Sequence, residues 1–74
     1  MTSPISINDV FEARASLLKH ADIDQALVNL AYEEAFGGDV IMAGLLITWA
    51  QEPTLGVRLS LERQIKNLLD NKLE

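Results

Sequence analysis

A chain of 74 residues with a formal charge of −5 and no cysteine has room for one small domain, whose folding buries only about 60% of the unfolded surface. It has no disulfide or thiolate-metal staple to make up the shortfall, so extra burial has to come from oligomerisation. The acidic balance repels phosphate backbones and argues against direct nucleic-acid binding.

Residues 1–5 are expected to form a flexible arm ahead of a single helical domain over 6–74. Nothing at the start resembles the basic and apolar regions of a secretion signal, which points to a cytoplasmic protein. Apolar spacing then predicts an all-α fold, a small bundle of four short helices over about 6–20, 22–36, 39–51 and 57–72, completed by dimerisation. The first helix starts at Ser6, whose hydroxyl is expected to cap the amide of Asp9, with Asp9 reaching back to the amide of Ser6. Ile5 and Val10 occupy the two positions of a hydrophobic staple. Ile7, Val10, Phe11, Leu17, Leu18 and Ala21 line one face, and Lys19 and His20 fall in the last turn, where the helix dipole favours cations.

A tight connection leads to the second helix, with Asp22 as its cap and Gln25 at the third helical position. Ile23, Ala26, Leu27, Leu30 and Ala31 form a stripe that Val28, Tyr32 and Ala35 widen beyond half the circumference. Gly37 and Gly38 stop this helix, since glycine takes the left-handed cap conformation without a side-chain penalty.

Asp39 caps the third helix, which runs to Gln51 before Pro53 ends it. Ile41, Met42, Leu45, Leu46, Ile47 and Trp49 make it apolar almost all round, yet it falls short of the roughly 20 residues that a membrane span needs. It reads as a buried central helix or as half of an interface. The last segment is ambiguous. Leu55, Val57, Leu59 and Leu61 alternate like a strand, whereas Leu61, Ile65, Leu68 and Leu69 have helical spacing and Glu62 pairs favourably with Lys66. A helix over 57–72, capped by Thr54 or Ser60, is the expectation, with an extended 54–60 as its rival. Leu73-Glu74 carries no weight in this reading.

No catalytic or cofactor motif is present, and neither a catalytic nor a metal-binding residue is assigned. His20 is a C-terminal dipole partner. With Asp22 and Asp24 it offers three ligand types at a spacing that matches no established metal site. Glu33 and Glu34 diverge by about 100° on a helix, so they do not face one another as paired carboxylates would. Gly37-Gly38 lacks the lysine and preceding strand of a phosphate loop, and Val40–Ala50 has no side chain able to read base edges. Gly44 and Thr48, four apart, either admit a second backbone or form the least apolar edge of a buried helix.

Surplus apolar area is the strongest functional signal. Two helices with such wide apolar arcs are hard to cover within so short a chain. The expectation is therefore a non-enzymatic protein that self-associates as a homodimer and acts through protein–protein contacts, with a further unidentified protein as a possible partner and no cofactor. Its interface is expected at Val40, Ile41, Leu45, Ile47 and Trp49. Arg14 and Glu34, which interrupt apolar stripes, are expected to join it or to bridge at the water edge. The alternative is an acidic inhibitor or regulator of a nucleic-acid-processing protein. An enzyme using Glu34 or the His20 cluster has less support, and a membrane-surface helix suffers from the acidic charge and the few cations of the last segment.

Overall fold

The computed structural model describes residues 6–73, with the side chain of Leu73 outside the description. The expected arm over 1–5, the staple position Ile5 and Glu74 lie outside these residues. Four helices follow one another, α1 (Ile7–Leu17), α2 (Gln25–Phe36), α3 (Val40–Gln51) and α4 (Leu55–Leu73). The molecule measures 32 × 30 × 19 Å, and its short dimension corresponds to two layers of helices about 10 Å across. α3 packs on all three other helices, α2 also touches α1 and α4, and α1 and α4 do not pack on each other.

Hydrogen bonding at the helix ends explains where each helix starts and stops. The Ser6 hydroxyl caps α1, but it accepts from the amide of Asn8 at 3.0 Å rather than from Asp9. α1 ends at Leu17, three residues before the expected end. The amides of Lys19 and His20 donate to the carbonyls of Ser16 and Leu17, so the bonds shorten to three-residue spacing and close the last turn. Lys19 and His20 therefore stand beyond α1.

The amide of Ile23 donates to the His20 carbonyl, which holds 20–23 in a turn and keeps Asp22 from capping. Asp24 takes the role instead, its Oδ1 accepting from the Leu27 amide at 3.1 Å. The connection is therefore seven residues long, 18–24, and not tight. At the far end of α2, Gly38 N–H donates to Ala35 and Asp39 N–H to Glu34, both at 3.1 Å. This is the Schellman pairing, which satisfies the last helical carbonyls. It requires the positive φ of Gly38, +112°, while Gly37 stays right-handed at −76°.

Asp39 then caps α3 as its spacing predicts, accepting from the Met42 amide at 3.0 Å. Glu52 is extended ahead of Pro53 and terminates α3. The extended reading of 54–60 is overturned. The Arg58 amide donates to the Thr54 carbonyl at 2.9 Å, so α4 starts at Leu55. A strand there would need a partner for its backbone groups, whereas a helix pairs them internally. Of the four alternating residues only Leu61 is buried, and Leu55, Val57 and Leu59 are exposed.

Among the described residues the core is wholly apolar. Val10, Ala13 and Leu17 come from α1, Leu27, Val28, Ala31 and Ala35 from α2, Met42, Ala43, Leu46 and Trp49 from α3, and Leu61, Ile65 and Leu69 from α4. Ala13, Ala31, Ala35 and Ala43 supply the core's small side chains, and Trp49 is its largest fully buried one.

Candidate functional site

The seven residues expected at an interface do not share one surface. Trp49 is only 1% exposed, covered by its own chain, so it is a core residue and not an anchor offered to a second molecule. Leu45 and Ile47 are partly buried against the core. Val40 and Ile41, in the first turn of α3, remain 69% and 67% exposed. With Phe36, which is 55% exposed on the other side of the Gly37-Gly38 turn, they form an apolar elbow between α2 and α3.

Arg14 and Glu34 both have partners within the chain, on different flanks of α2. The Arg14 Nε donates to Asn29 Oδ1 at 3.1 Å, and its guanidinium lies 5.1 Å from the centre of the Tyr32 ring. That geometry combines a hydrogen bond with a cation–π contact. Tyr32 in turn packs against Phe36, ring centres 5.7 Å apart. Glu34 instead binds Lys72 at 3.0 Å, and Lys72 also binds Asp39 at 2.8 Å.

Lys72 therefore ties the last turn of α4 to the elbow between α2 and α3. The hydrogen bond from Lys72 holds the Asp39 carboxyl below its usual range, assisted by the Met42 amide. Hydrogen bonds to Asp39 and then Glu34 push the Lys72 ammonium upward. Each charge also suits its helix, since Asp39 stands at the positive end of α3 and Lys72 near the negative end of α4.

Grooves between the helices differ in character. Asp9, Glu12 and Ser16 of α1 face Ile47, Ala50 and Gln51 of α3 across a groove of about 300 Å³. Its polar lining is supplied by Asp9, Glu12, Ser16 and Gln51. Glu33, Glu34, Asp39 and Lys72 surround the elbow. Between α2 and α4 a third groove of about 290 Å³ is lined by Ala26, Leu27, Leu30 and Leu69, with Asp24, Lys66 and Asp70 on its rim. Leu55 and Leu59 lie further along the same flank of α4, beside Ile23 and Arg58.

His20 is exposed in the α1–α2 connection, and the Asp24 carboxylate is committed to capping α2. Among the described residues no three histidine, aspartate or glutamate side chains are grouped to hold a metal ion, and no helix is long and apolar enough to cross a membrane. Thr48 donates to the carbonyl of Gly44 at 2.9 Å within its own helix.

Arg58, Glu62, Lys66 and Asp70 follow each other at four-residue steps on α4, with alternating charge. The strand-like rhythm of 55–61 obscures this series in the sequence, because an extended 54–60 would take Arg58 out of it. The chain matches no protein-family model, no curated protein and no solved structure.

Proposed function

We propose that this chain is a non-enzymatic helical protein that self-associates as a homodimer and acts through protein–protein contacts. The supporting observation is the apolar surface that remains after the four helices have packed. Ile7, Phe11, Leu30, Phe36, Val40, Ile41, Leu55, Val57 and Leu59 are all 45–69% exposed. Single exposed apolar side chains are ordinary. Here, however, they occur in groups, at the elbow and along the start of α4, and grouped apolar surface marks contact sites. A cytoplasmic location is part of the same proposal.

The reading as an acidic regulator has weaker support. The carboxylates stand in separate grooves, Asp24 and Asp39 serve as caps, and Lys72 binds Glu34 and Asp39. Sedimentation equilibrium over a range of micromolar concentrations tests self-association directly. A concentration-dependent shift from one chain mass to two is expected, and a single chain mass throughout would overturn the proposal.

A further inference from the structure

We propose that the copies pair through α4, antiparallel to the α4 of the second copy, about a twofold axis crossing the helix at the level of residue 64. This rests on the proposal of self-association and names the surface that carries it. The argument begins with Arg58, Glu62, Lys66 and Asp70. Successive members are offset by about 40° around the helix and about 6 Å along it, so they make one inclined ridge of alternating charge. Each neighbouring pair has the sequence spacing of an intrahelical ion pair. None closes to bonding distance, since both ion pairs among the described residues belong to Lys72.

An alternating ridge is complementary to its own reverse. A twofold axis at the level of residue 64 sets Glu62 against the second copy's Lys66 and Arg58 against the second copy's Asp70, and each pair occurs twice. Ridges formed by four-residue steps are also those that pack in the commonest class of helix crossing. The same symmetry sets Leu59, 53% exposed, against the second copy's Leu69 in the wall of the α2–α4 groove. An enclosed cavity of about 150 Å³ accommodates a benzene-sized group, so a groove of about 290 Å³ has room for a leucine side chain. Each copy supplies one such side chain and one groove, as an isologous interface requires. A standard interface takes about 800 Å² from each partner, about a sixth of the 5041 Å² accessible surface. A helix of 19 residues, about 28 Å long at 1.5 Å per residue, offers a face of suitable length.

The elbow is the competing surface, and its charges disfavour a twofold pairing. Phe36, Val40 and Ile41 sit beside Glu33, Glu34 and Asp39, with Lys72 as the cation among the residues around that basin. Two copies meeting there would bring like charges together, which is costly at an interface.

The test uses the full chain and charge reversals on α4. Glu62→Lys and Lys66→Glu alter side chains outside the core, and circular dichroism should show both variants helical. Each variant alone should dimerise about tenfold more weakly than the native chain, as expected for two lost pairs and two new repulsions. Mixed in equal amounts, the two should recover dimerisation as a heterodimer. The Glu62→Lys chain then carries a lysine at both positions, the Lys66→Glu chain a glutamate at both, and the twofold sets every lysine against a glutamate. Ion pairs within one helix cannot produce that recovery. If the mixture does not recover, or if both variants dimerise normally while Ile41→Asp dissociates the pair, the α4 pairing is overturned and self-association stands. If the native chain sediments as a monomer throughout, both fall.

Discussion

α3 and α4 cover their apolar residues to different extents. α3 is apolar on nearly every side, and most of it is covered because it packs on all three other helices. α4 is far more polar, yet Leu55, Val57 and Leu59 in its first turns are 57%, 45% and 53% exposed. The difference lies in position. A central helix finds cover for most of its apolar circumference, and of its large apolar side chains only Val40 and Ile41 in the first turn are exposed. A peripheral helix can bury one stripe, here Leu61, Ile65 and Leu69 with Leu68 at its edge, and Leu55, Val57 and Leu59 are left facing solvent. Apolar content locates the central helix, while the number of neighbouring helices decides how much of each apolar face is covered.

Substitution on the two helices tests this contrast most severely. Trp49→Ala removes the largest fully buried side chain and should cost about 3–5 kcal/mol. A chain of this size has a total stability of roughly 4–11 kcal/mol at 0.05–0.15 kcal/mol per residue, so a large unfolded population is expected. Leu59→Ala, measured in protein dilute enough to be monomeric, should change stability by no more than about 0.5 kcal/mol. Urea unfolding followed by circular dichroism measures both, and comparable losses would show that α3 is not the centre of the core.

The next effect in size concerns the turn that lets α3 fold back against α2. Gly38→Ala meets no atom within 4 Å, so space is not the constraint. The positive φ is, and a side chain there should cost about 1–2 kcal/mol. Gly37→Ala, at a right-handed residue, should cost less, and equal losses at the two positions would contradict the Schellman geometry. Asp39→Ala should cost about 1 kcal/mol through the lost cap on α3, with Asp39→Asn recovering most of it.

How much of this is legible in the sequence follows the chemistry of the signals. The all-α fold and α3 itself are readable, because Asp39 and the Gly37-Gly38 and Pro53 stops act locally. Asp22 and Asp24 are equally plausible caps from sequence. Only the turn bond between Ile23 and His20 decides between them, and that bond depends on how α1 ends. The strand-like rhythm of 55–61 misleads because three of its four apolar residues, Leu55, Val57 and Leu59, are exposed. Spacing assigns Trp49 to an interface because it reports the width of an apolar arc, not what lies against it. Arg14 and Glu34 stand out in the sequence as interruptions of apolar stripes, but their partners Tyr32, Asn29 and Lys72 depend on helix register.

The smallest expected effect is the most specific, because it isolates the cation joining α4 to the elbow. Glu33, Glu34, Asp39 and Lys72 face one another there. The Asp39 carboxyl is held below its ordinary value of 3.8, so its contribution is complete above that pH and is lost as acid protonates the folded form below it. The Lys72 ammonium is raised above 10.5, so its contribution is complete below that pH and is lost as base deprotonates the folded form above it. The clasp is thus intact between about pH 4 and pH 10. Lys72→Gln should lower stability modestly throughout that window, since the bridge is partly open to solvent and screened by salt. The gap between the native chain and the variant should close below pH 3.8 and again above pH 10.5. Urea midpoints for the two proteins, compared pH by pH, cancel the titration of all other groups. A gap that persists in strong acid would mean that Lys72 acts through the packing of its aliphatic stem and not through its charge.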